Sequence, residues 1–164
     1  MLFLGPWLLS LLLAASHCWL RRSTLDKAEA ISLFFRYQLV FGLAFAGIFG
    51  FLGHGLRPEQ TALRIGWPAH PQFQFELASF ELGFGLAALL GLWVRNRHYW
   101  LGVCLAPSLF MVLAAVQHVR EILAKGNLAP NNVLVILPDL LLPATLLGLL
   151  AWLAQAEQQK AAHR

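Results

Sequence analysis

Five apolar runs, each close to twenty residues long, alternate with short polar or charged segments along the chain. They cover about Leu2 to Leu20, Leu33 to Gly53, Phe75 to Val94, Tyr99 to Leu123 and Val133 to Leu153. About twenty apolar residues in a helix cross a hydrocarbon core of roughly 30 Å. Backbone groups in lipid must bond within their own segment, which a helix achieves and a lone strand does not. Alternating ten-residue strands, the mark of a membrane barrel, are absent. The pattern predicts an all-α integral membrane helical bundle. It divides into an N-terminal transmembrane anchor helix over residues 1–22, a four-helix core over 33–154 and a polar C-terminal tail over 155–164, frayed at its end.

Charge sets an expected orientation. Arg21, Arg22, Lys27, Arg36, Arg95, Arg97, Lys160 and Arg164 fall on one side of the predicted spans, and Arg57, Arg64, Arg120 and Lys125 on the other. Cytoplasmic loops collect Lys and Arg, so the first group predicts a cytoplasmic C-terminus and an N-terminus outside. Leu2 to Leu20 has no positive charge before it and Arg21-Arg22 after it, which favours an uncleaved anchor over a signal peptide. The region Gly55 to Gln74, rich in Trp, Phe and Pro, is expected to rest as a loop in the headgroup layer and partly cap the bundle.

Composition reinforces the membrane reading: 59% of the 164 residues are apolar and 12% charged, against roughly 25% charged in soluble domains. The net charge of +4 comes from segment ends rather than a basic stripe, so nucleic acid is not an expected partner. The bilayer is, together with other membrane subunits or a second copy. Cys18 and Cys104 form neither a CxxC pair nor a zinc spacing and read as ordinary thiols.

Small residues recur every four positions at Gly42, Ala46 and Gly50, and again at Ser79, Gly83, Ala87 and Gly91. Such stripes let helices approach closely, and they predict contact between the second and third apolar helices.

The candidate chemistry lies in ionisable residues within the spans. His54, Glu76, His118 and Asp139 all fall in the same half of the predicted membrane, on four different helices, and Glu81 lies about 7 Å deeper than Glu76. Charged groups at membrane depth are costly and normally face a bundle interior or cavity. Two His and two carboxylates suit a divalent transition metal, with His54, His118 and Glu76 as the ligand set. They equally suit a quinone head group or a proton relay, or a polar cluster that fixes helix register. Glu81 lies roughly 140° around its helix from Glu76, so the two need not share a centre. No GxSxG, Walker A, HExxH or GxGxxG arrangement is present, which leaves hydrolases and nucleotide enzymes unsupported.

Phe51-Leu52-Gly53-His54, Ile65-Gly66-Trp67, Phe73-Gln74-Phe75-Glu76, His118, Asn127-Leu128-Ala129-Pro130 and Asp139 together resemble an uncharacterised family of small bacterial four-helix membrane proteins, distantly DoxX-like. The resemblance covers about Arg36 to Trp152 and leaves the first helix as an addition. It implies a His pair at His54 and His118 with Glu76 and Asp139 as companions, in the bacterial inner membrane, near redox complexes or quinones. Two departures stand out: Glu81 replaces a polar amide, and Leu113, Ala114 and Ala115 occupy the place of an acidic residue before the second His. The expected function is an accessory subunit of a membrane redox or transport assembly with a polar pocket. The alternative is a metal-, quinone- or proton-handling protein using the same cluster.

Overall fold

Asp26 closes a capping box with Glu29: its side chain accepts from the Glu29 amide at 2.9 Å, and Glu29 accepts from the Asp26 amide at 2.8 Å. That cap satisfies orphan donors at the start of the central helix. The structure, a computed structural model, describes residues 4–162. Leu2, in the first apolar run, and Arg164, in the charge pattern, lie outside the described residues.

Among the described residues six helices follow one another: α1 (Leu4–Leu20), α2 (Lys27–Gly55), α3 (Pro58–Ile65), α4 (Pro71–Leu90), α5 (Arg97–Lys125) and α6 (Pro130–Ala162, with a break at Val135). The described residues contain no strand. Of these helices α2, α4, α5 and α6 are long and apolar enough to cross a membrane, while α1, at 17 described residues, is shorter. At about 1.5 Å per residue α1 reaches roughly 25 Å. The chain is therefore an all-α membrane bundle with four long helices and a shorter N-terminal one.

Three expectations shift in detail. The capping region 58–65 folds as a helix instead of lying as a loop, with Ala62 and Ile65 buried and Gly66 closing it at φ +78°. The polar tail is helical to Ala162 rather than frayed, because Arg97 pairs with Glu157 at 3.7 Å and Lys160 with Asp26. Thirdly, α2 and α4 touch as predicted, but the contact uses Gly50 of the predicted stripe together with Gly47 and Gly85, which lie outside the stripes. Gly47 lies against the backbone of Glu81 and Gly85, and Gly50 against the Glu81 side chain. Gly42 instead faces Leu142 on α6, and Gly83 faces open space. The cause is local: α2 is π-helical over Gln38–Ala44 and again over Phe51–Gly55. A wider turn adds a residue and changes the phase of everything beyond it, so a four-residue stripe does not hold its face.

The apolar core joins Phe35, Leu39 and Leu43 of α2 to Phe84 and Ala88 of α4, Trp100, Cys104 and Met111 of α5, and Leu142, Leu146 and Leu150 of α6. Both cysteines are free. A polar ring staples α1 to this core. Trp7 Nε1 donates to the Thr145 hydroxyl at 3.2 Å, Thr145 lies 2.9 Å from the Gln38 carbonyl, and the Gln38 amide donates to Ser10 at 2.6 Å. Neutral polar groups within a bundle bond one another when no water is there to serve them.

Candidate functional site

The end of the bundle beneath α3 gathers the ionisable residues. His54 sits in the π-helical last turn of α2, where Nδ1 pairs with the Gln74 amide oxygen and Nε2 lies 4.0 Å from Glu81 Oε1. Gln74 is 1% exposed and Glu81 8%. They share a face because they are seven residues apart on α4. Ala78 and Gly85 complete that buried stripe. Gly50 is needed opposite: a Cβ there would run into the Glu81 carboxyl group. The second carboxyl oxygen, Oε2, is buried and unpartnered. Asp139 is buried on α6.

The second histidine is held by a separate set of partners at the same end of the bundle. His118, buried on α5, bonds through Nδ1 to Asn132 Oδ1 at 2.8 Å, and the Asn132 amide donates to the His118 carbonyl at 3.2 Å and to the Asn127 carbonyl at 2.9 Å. Trp67 stacks on the imidazole at 5.4 Å between ring centres. Asn127 in turn donates to the Ile65 carbonyl at 2.9 Å, clasping the two connections at this end.

Of the four residues expected at the site, His54, His118 and Asp139 are brought to one end of the interior. Glu76 is not: it is exposed on the outward face of α4, and Glu81 takes the inward place. The set His54, His118 and Glu76 is therefore not assembled, and no three His, Cys, Asp or Glu side chains among the described residues converge to hold a metal. Gln74, which stands in the Phe73-Gln74-Phe75-Glu76 stretch, and Asn132, seven residues before Asp139, are the amide partners of the two histidines. Periodicity marks Gln74 as inward-facing, since Gln74, Ala78, Glu81, Gly85 and Ala88 follow the three-and-four spacing of a buried helix face.

A cleft of ≈ 240 Å³ opens at this end, walled by Trp67, Phe73, Gln74, Gln117, Glu121 and Lys125 among others. Glu121 is 8% exposed and accepts from Lys125 Nζ at 2.9 Å and from the Gln117 amide at 3.2 Å. Trp67 Nε1 is buried without a partner. At the opposite end Asp26 lies outside the spans, and its bond from Lys160, helped by the Glu29 amide, holds its carboxyl below the usual range.

Fold and site define a multi-pass helical membrane protein whose buried titratable groups collect at one end. The chain belongs to a family of unknown function (DUF6790), which matches residues 1–160. That match includes α1, so the first helix is not an addition to the family. No curated protein and no solved structure matches this chain.

Proposed function

We propose that this chain is a proton-handling membrane protein, taking up and releasing a proton at His54, Glu81 and Asp139. The supporting observation is the Glu81 carboxyl group: buried against Gly50, with one oxygen unpartnered and facing His54, while Asp139 supplies a second buried carboxyl on α6. Neither acid has a Lys or Arg partner among the described residues. A buried carboxylate without a cation is in conflict with its low-dielectric surroundings. A proton is the smallest species that resolves the conflict, and His54 offers it a second resting place.

Isosteric substitution tests this. If Glu81 holds the proton as a neutral acid, Glu81→Gln exchanges one neutral group for another and costs about 1 kcal/mol of stability. A permanent Glu81 anion paired with protonated His54 would instead leave an unpaired buried charge on substitution, at about 3–5 kcal/mol. Unfolding in mixed micelles at pH 7 separates the two, and the larger loss would overturn the proposal.

A second reading, an accessory subunit of a larger redox or transport assembly in a bacterial inner membrane, is favoured by Glu76. An ionisable side chain on the outward face of a span is costly against lipid and is relieved by a partner helix. Copurification of a stoichiometric larger subunit from wild type, lost with Glu76→Leu, is the result this reading expects.

A further inference from the structure

We infer that the buried cluster exchanges its proton with one compartment alone, the one facing α3, through the cleft beside Trp67. This rests on the proton reading above and adds the route. Three wall residues of the cleft lead inward. Gln74 bonds His54 directly, Trp67 stacks on His118, and Glu121 is buried one turn beyond His118 on α5. Each histidine is thus one side chain away from a space of ≈ 240 Å³. A water occupies about 30 Å³ in the liquid, so the cleft has room for several.

The other direction is largely apolar. Between the cluster and the far end lie Leu43, Leu142, Leu146 and Met111, each no more than 6% exposed, with Leu142 seated against Gly42. At the depth of Leu142 and Leu146 the polar groups of Trp7, Ser10, Gln38 and Thr145 are bonded to one another, and the buried Ser108 Oγ has no partner. Apolar side chains between these groups and the cluster offer a passing proton no acceptor. The titratable groups facing the site are His54 from α2, Glu81 from α4, His118 from α5 and Asp139 from α6. In the cleft itself stand His70, Glu121 and Lys125. Lys125 bridges to Glu121 one turn away on the same helix, so proton entry passes a pair of opposite charge rather than an isolated cation.

Sealed phosphatidylcholine and phosphatidylglycerol vesicles holding the full chain in one direction, assigned by capture of a C-terminal tag, provide the test. Infrared spectra follow the carboxylic-acid band that Glu81→Gln and Asp139→Asn each diminish, while pH is stepped on one side and held on the other. The band should respond to the α3 side alone, and Gln117→Trp, which fills the cleft mouth, should slow that response several-fold. A response to the opposite side would overturn the route and leave the proton site standing. If wild type shows no band that these variants diminish, the proton reading itself fails and the route falls with it.

Discussion

Glu76 and Glu81 show how much hangs on 140° of helical phase. Their separation was readable from the sequence, but which one faced inward depended on the neighbouring helix, where Gly50 leaves room for a carboxyl group. His54 and His118 were legible as a pair. Their amide partners were not legible as such, because Gln74 and Asn132 are uncharged. The same scale decides the glycines. A Cβ on Gly47 would sit 2.8 Å from Gly85 Cα and be forced against backbone. Gly47→Ala should therefore cost about 1–3 kcal/mol as overpacking. Gly83→Ala meets nothing within 4 Å and should gain up to about 1 kcal/mol of helix propensity. Chemical unfolding of the two variants in one detergent checks the pair, and equal effects would contradict the assigned contact face.

Among elements, α2 is the least predictable. Its apolar length announced a membrane span, yet no residue pattern announced the π-helical turns that rephase it. A π turn absorbs one extra residue while its flanks keep their places. Deleting Val40, inside the first such turn, should convert it to ordinary helix and leave His54 against Gln74. Deleting Ile48, in the α-helical stretch between the turns, should swing His54 by about 100° and break that contact. Imidazole chemical shifts of His54 report the difference directly, and equal disturbance by both deletions would contradict the π assignment. Unlike the turns within α2, the start of that helix was written in the chain: Asp26 and Glu29 have capping-box spacing.

Across the whole molecule, membrane insertion and the four long spans followed from apolar length, because lipid leaves helices little alternative. The closure of the bundle was less visible, since it depends on contacts between distant segments such as Trp7 with Thr145 and Asp26 with Lys160. The Asp26 contact carries a pH signature. Its carboxyl is held below the ordinary range by Lys160, so its contribution is complete above about pH 4 and fades as pH falls through the lowered folded value. Melting temperatures of wild type and Asp26→Asn should therefore differ slightly at neutral pH and converge in acid. A gap that widened in acid would contradict the sign.

The central claim is that the interior end of this bundle holds a proton on a buried carboxyl group. An infrared titration of the purified protein in detergent, beside Glu81→Gln and Asp139→Asn, tests it most directly. A protonated carboxyl band in wild type at pH 7, reduced in each variant, is the predicted result. A wild type whose carboxyl groups are all ionised at pH 7 would contradict it.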